Sequence, residues 1–144
     1  VPPPVLAAAC AAIAWWLPQS WRMEVPSALR WAGIVLAMSG LLLNAWPKRF
    51  FRRQGTTANP LHPDRSTALV TGGPYRWSRN PMYVGYAVFL AGWGLWLAQP
   101  AALACVILFV GWIDRLQIPA EEDALQARFG TTYADYRHKV RRWL

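Results

Sequence analysis

The sequence predicts an all-α fold: an integral membrane bundle of four transmembrane helices closed by a cytoplasmic helical C-terminal cap. Three observations lead there. Of 144 residues, 55% are hydrophobic and only 15% are charged, a balance that does not suit one ordinary soluble domain. The apolar residues gather into blocks near the roughly 20 residues a helix needs to cross a hydrocarbon core about 30 Å thick. The basic residues are strongly biased in position, with seven of the 15 Lys and Arg between residues 47 and 80 and six after Ile113.

The first block, Val5 to Trp21, is the weakest. Pro18 interrupts it, and a span, a re-entrant segment and a signal-peptide remnant all stay open for it. Against the remnant, VPPP carries no basic residue. Leu29 to Trp46, Met82 to Ala98 and Ala101 to Ile118 are clear blocks, the last acquiring Asp114 and Arg115 only near its end. The chain therefore divides into an N-terminal helical hairpin (1–47), a connection (48–81), a second hairpin (82–118) and C-terminal helices (119–144).

Basic residues flanking spans stay on the cytoplasmic side. That rule puts both termini and the 48–81 loop in the cytoplasm, leaves residues 18–28 and 99–100 outside, and suits a multi-pass protein of a bacterial inner membrane. The same asymmetry, with anionic headgroups, accounts for the net charge of +8 without nucleic acid. Trp15, Trp16, Trp21, Trp31, Trp46, Trp77 and Trp112 read as interfacial belts. Cys10 and Cys105 lie in apolar blocks without His at ligand spacing, so they read as packing residues, and no metal site is expected.

Within the 48–81 connection, Lys48 to Arg53 continues the second helix into the headgroups, with Phe50 and Phe51 as anchors. Beyond Gly55 the run TTANPLHPDRSTALVTGGP is rich in helix breakers and predicts irregular backbone. Such backbone at membrane depth is tolerated where protein buries it or where it lines a cavity, which makes this junction a candidate site. After the fourth block, Pro119 suits a first helical position, with Glu121, Glu122 and Asp123 in the first turn, where acids favour the helix dipole. Leu125 and Phe129 form an i, i+4 stripe ending at Gly130, a C-terminal cap; Thr132 with Asp135 fits a capping pattern opening a last helix with Tyr133, Tyr136 and Val140 on one face. Asp114 and Glu121, seven apart, share a helical face unless Pro119 disturbs the register.

The run LVTGGPYRWSRNPMYVGY, followed by EEDALQARFGTTYADYRHKV, resembles the integral membrane methyltransferases of the isoprenylcysteine carboxyl methyltransferase and phospholipid methyltransferase group. The resemblance covers roughly residues 55–144 and implies S-adenosylmethionine bound at the ends of the last two spans, with a lipophilic acceptor arriving from the bilayer. Many members have His where Asn80 stands; Asn keeps hydrogen-bonding capacity but not an imidazole's proton chemistry.

On that resemblance, the cofactor-binding candidates are Gly73, Pro74, Tyr75, Arg79, Asn80, Pro81, Tyr83, Glu121, Glu122 and Tyr133. Gly73 and Pro74 would set backbone groups against the adenine edge. Arg79 would fork onto the cofactor carboxylate, Glu121 or Glu122 would take its α-amino group, and the tyrosines would stack on adenine or face the sulfonium. Arg115 is the candidate catalytic cation beside a carboxylate acceptor, and Glu122 or Asp114 the base for an amine. Bland readings stand beside each: Arg79 as headgroup anchor, the acids as first-turn charges, Asp114 and Arg115 as a snorkelling pair, Tyr133 and Tyr136 as packing, Gly92 and Gly94 as close helix contacts. Two rival functions stay open, methylation of a lipid amine and a non-catalytic membrane scaffold or transport-associated protein.

Overall fold

The computed structural model describes residues 1–53 and 69–144, and every regular element among them is helical. Gly55, His62 and Arg65, in the stretch read as irregular, lie outside the described residues. Helix α1 (Pro3–Trp16) begins on prolines, whose fixed φ suits a first turn. It ends before Pro18, with Leu17 extended at ψ 147, since a residue preceding proline is pushed out of the helical region. Helix α2 (Ser27–Arg53), α3 (Pro81–Trp96), α4 (Ala102–Trp112), α5 (Ile118–Phe129) and α6 (Thr131–Lys139) follow.

Small residues join α2 to α3. Gly33, Ala37, Gly40 and Asn44 are buried on α2 at alternating spacings of four and three, a stripe that stays on one helical face. A Cβ on Gly33 would lie 2.6 Å from the Trp96 amide nitrogen, and one on Gly85 would lie 2.6 Å from that of Asn44. The two antiparallel backbones are therefore as close as glycine allows. Gly92 belongs to this seam, as its close-packing reading expects, whereas Gly94 faces the Ala102 methyl. At the seam's end, Asn44 donates from Nδ2 to the Met82 carbonyl at 2.9 Å. Helix α1 covers α3 and α4 through Ala7, Cys10 and Ala14, while the Trp93 indole donates to the Ala11 carbonyl at 3.0 Å.

The α4 and α5 segments are not separate helices. A π-helical turn, Ile113–Gln117, links them into one apolar run, Ala102–Phe129. Pro119 therefore does not open a fresh helix. It has no N–H to give the Arg115 carbonyl, and its ring would strike that carbonyl in an unbroken α-helix; the wider turn accommodates both problems. Gly130, at φ 52, ends α5 as expected, but it also starts α6. No side chain caps α6, so the Thr132–Asp135 pattern does not act as a cap.

The connections sort to two ends of the bundle. At one, Met23 N–H donates to the Ala98 carbonyl at 2.8 Å, and Gln99 reaches the Pro18 carbonyl at 3.3 Å. These are the two segments expected to lie outside. At the other end, residues 69–80, α5, α6 and the chain terminus come together. Ser27–Arg53 and Ala102–Phe129 are long and apolar enough to cross a membrane, yet only 22% and 28% of their apolar windows are buried. Val35, Leu42, Ile107 and Leu108 are exposed, as are all seven tryptophans read as belts. A soluble protein would cover such surfaces.

Candidate functional site

The site is built first by the turn entering α3. Gly73 sits at φ +57, and a Cβ there would press on the Phe50 ring at 3.0 Å, so both conformation and space favour glycine. Phe51 meets the Tyr75 ring edge-on at 5.2 Å. Phe50 and Phe51 thus pack against the turn instead of serving as free headgroup anchors. Pro74 is buried in the tight 3-10 turn Gly73–Arg76, and Pro81 takes the first position of α3. Between them, Ser78 Oγ accepts from the Asn80 amide at 3.0 Å, leaving the Asn80 side chain free to donate to the Arg142 carbonyl at 2.9 Å.

The acids come from α5. Glu122 is buried and accepts from Arg79 Nη1 at 2.7 Å, a pair whose side chains are 7% and 11% exposed. Arg142 Nη2 approaches its other oxygen at 2.8 Å, and Arg137 stands 3.8 Å away. Arg142 also spans to Asp114 through Nη1 at 3.3 Å, and the Trp143 indole donates to the same Asp114 oxygen at 2.9 Å. Hydrogen bonding by Glu122 pushes the Arg142 guanidinium still further up from its already high range.

Asp114 therefore shares a partner with Glu122, eight residues on, and not with Glu121 as the heptad spacing suggests. A π-turn accommodates one extra residue, which moves the facing position by one. Glu121 has a separate environment. Its Oε1 accepts from the Tyr83 hydroxyl at 2.5 Å and from Gln117 Nε2 at 2.8 Å. The second carboxylate oxygen has no hydrogen bond among the described residues, so the two acids differ in spare capacity.

The terminus closes the cluster. Arg79 N–H donates to the Arg141 carbonyl at 2.9 Å, and Ser78 Oγ and Asn80 both reach the next carbonyl. Below it, Tyr75, Tyr133 and Tyr136 form a small core with Val70, Leu125 and Phe129. The Tyr136 hydroxyl donates to the Tyr75 carbonyl at 2.7 Å, and burial pushes this phenol's pKa up.

Of the sequence-predicted residues, the structure gathers Arg79, Asn80, Pro81, Tyr83, Glu121 and Glu122 at one end, with Gly73, Pro74 and Tyr75 in the adjoining turn and Tyr133 packed beneath. Arg115 stands apart, exposed and without an ion pair among the described residues. Sequence reasoning missed Arg142, Trp143, Ser78 and Gln117. The i, i+4 spacing of Gln117 and Glu121 was readable; nothing local joins Arg142 to an acid 20 residues earlier.

A family model described as phospholipid methyltransferase matches residues 28–132. A Haemophilus influenzae protein of uncharacterized role is 43% identical over 63 residues, covering 44% of this chain and all of that protein. A probable protein-S-isoprenylcysteine O-methyltransferase from Oryza sativa subsp. indica is 27% identical over 110 residues, 76% of this chain and 58% of the relative. The protein-S-isoprenylcysteine O-methyltransferase of Saccharomyces cerevisiae is 37% identical over 75 residues, 50% of this chain and 30% of the relative. The chain thus spans little over half of the rice protein and under a third of the yeast one. No solved structure matches. With the family model covering most of the chain, including the α3 entrance and the acid-led α5, the chain belongs to the phospholipid methyltransferase family, alongside the protein-S-isoprenylcysteine O-methyltransferases.

Proposed function

We propose that this protein is an S-adenosylmethionine-dependent methyltransferase acting on a lipophilic, membrane-embedded acceptor, an isoprenylcysteine-like carboxylate or another small lipophilic group. The observation that carries the reading is the 2.7 Å contact of Arg79 with Glu122, two buried charges from distant parts of the chain held at one bundle end. Burying such a pair is expensive, and it is weak evidence for stability alone. The fit to a zwitterionic nucleotide rests on a second feature. Arg79 Nε is buried with no hydrogen-bond partner among the described residues, a donor in want of an acceptor.

In this reading all four long helices cross the membrane, with the Arg79–Glu122 end cytoplasmic. Helix α1, at 14 residues, is about 21 Å long and would need its flanking turn to complete the crossing. The exposed apolar flanks of α2 and α4 and the basic bias support this topology.

When bound, S-adenosylmethionine supplies a methyl group on a sulfonium, open to direct displacement. The chain's task is then positional, because such a transfer asks mainly for alignment of the acceptor with the methyl and sulfur. Arg79 would hold the cofactor carboxylate, and Glu121 or Glu122 its α-amino group. Gly73 and Pro74 would present backbone to the adenine, while Tyr75, Tyr83 and Tyr133 would supply an aromatic wall and Asn80 and Pro81 would fix the α3 entrance. Arg115, exposed one residue beyond Asp114, would meet an acceptor carboxylate at the lipid-facing surface.

A lipid amine is the second reading, favoured by the description of the matching family, with Glu122 or Asp114 as base. Transfer of labelled methyl into a total lipid extract by detergent-purified protein tests both. Base-labile label supports the carboxylate acceptor, and base-stable label supports the amine. No transfer into any lipid fraction by folded, cofactor-binding protein would overturn the lipophilic acceptor.

A further inference from the structure

We propose that Arg142, in the chain's last residues, is a second arm of the carboxylate clamp, closing with Arg79 on the cofactor's α-carboxylate while Glu122 serves to aim the two guanidiniums. This assignment rests on the methyltransferase reading and changes the division of labour within it.

The charge count is the first ground. Three guanidiniums, Arg79, Arg137 and Arg142, surround the carboxylates of Glu122 and Asp114 within 4 Å. Locally that is three cations to two anions, while the third carboxylate, Glu121, makes no ion pair among the described residues and brings the whole site to balance; the Glu122 side therefore favours a ligand's anionic group and the Glu121 side its cationic one. Hydrogen-bond capacity is the second. Glu122 Oε1 accepts from Arg79 and Arg142 and Oε2 from Arg142, so an incoming ammonium would find three of about four acceptor sites taken and the carboxylate ringed by cations. Glu121 has an oxygen to spare among the described residues and its Tyr83 and Gln117 neighbours are neutral, which suits it to the α-ammonium.

The third ground is the donor left over. Arg79 Nε is buried and has no partner among the described residues although its Nη1 is engaged, and a carboxylate brought to that edge would satisfy it. Among the described residues Arg142 spends three of its five N–H donors on Glu122 and Asp114 and keeps two, one on Nη1 and one on Nη2, for such a ligand. Its carbonyl is fixed by Asn80 and Ser78, and the preceding carbonyl by the Arg79 amide. The guanidinium is therefore presented by an anchored backbone and not by a loose end.

The test is a ligand cycle read by isothermal titration in detergent. S-Adenosylhomocysteine is compared with S-adenosyl-3-thiopropylamine, the same molecule lacking only the carboxylate. Arg142→Ala should weaken the first by about tenfold to a hundredfold, the range for a hydrogen bond to a charged group, and leave the second within about twofold. Equal weakening of both ligands, or of neither, would overturn the assignment while leaving the methyltransferase reading intact. Wild type binding neither ligand would remove the reading beneath it and overturn both. If Arg142→Ala does not fold, Arg142→Lys decides: it keeps the charge but loses the fork, so selective weakening of S-adenosylhomocysteine supports the clamp and unchanged affinity overturns it.

Discussion

The α2–α3 seam and the polar cluster at its end hold the same helices by opposite means. Along the seam, Gly33, Gly40, Gly85 and Gly92 bring backbone against backbone and contribute no polar side chain. At the cluster, long charged side chains bridge residues 20 to 43 positions apart. In the proposed reading the contrast separates scaffold from site. A seam made of absent side chains tolerates no additions and has nothing to offer a ligand, whereas buried charge costs stability and is retained where a charged ligand must be met.

Substitutions sharpen that contrast in a graded order. The largest effect is expected of Gly85→Leu, because its side chain would have to enter space occupied by the Asn44 backbone. Overpacking of this kind costs about 1–3 kcal/mol even where neighbours can move, and here the neighbour is main chain. Loss of a monodisperse species on size exclusion in detergent, or a sharply lowered Tm, is the expected result; wild-type behaviour would break the seam's account. Next comes Glu122→Gln, which keeps the shape but removes the charge that aligns three guanidiniums. Cofactor affinity should fall about tenfold or more in protein that still folds, with a lowered Tm because Arg79 is left buried without its counter-charge, whereas the seam variant loses the fold itself.

Tyr83→Phe sits lower. It deletes one of two hydrogen bonds on the Glu121 oxygen and should weaken S-adenosylhomocysteine by a factor equivalent to about 1–2 kcal/mol, with Gln117 retaining the carboxylate. Arg115→Ala should leave cofactor affinity unchanged and raise KM only for a carboxylate acceptor, since Arg115 lies outside the cluster. Gly111→Ala is the smallest. A Cβ there meets nothing within 4 Å, so the change should be neutral or stabilise the helix by up to about 1 kcal/mol, visible only in Tm.

The parts legible in the sequence were those fixed by local rules. Blocks of apolar residues mark the helices, Gly130 marks the break between α5 and α6, and the basic bias sorts connections to the ends where the structure finds them. Arg79 and Glu122 were readable as parts of one candidate site, each facing the cofactor, only through the joint pattern of their surroundings; their direct pairing was not readable. Other features depend on how one helix meets another. The π-turn that brings Asp114 level with Glu122 answers Pro119 without a periodicity of its own. The docking of Arg142 and Trp143 is set by carbonyls of the terminal residues, which look alike in any sequence. Phe50 and Phe51, apolar at a helix end, read as headgroup anchors because the glycine turn they cover lies more than 20 residues away.

The central claim is that the α3 entrance, the acid-led α5 and the chain terminus form one site for a sulfonium nucleotide. Titration of folded protein in detergent with S-adenosylhomocysteine tests it most directly, with Gly111→Ala and Glu122→Ala alongside. Saturable one-to-one binding by wild type and Gly111→Ala, lost in Glu122→Ala, is the predicted result. Monodisperse wild-type protein that shows no saturable binding, or binding untouched by Glu122→Ala, would contradict it.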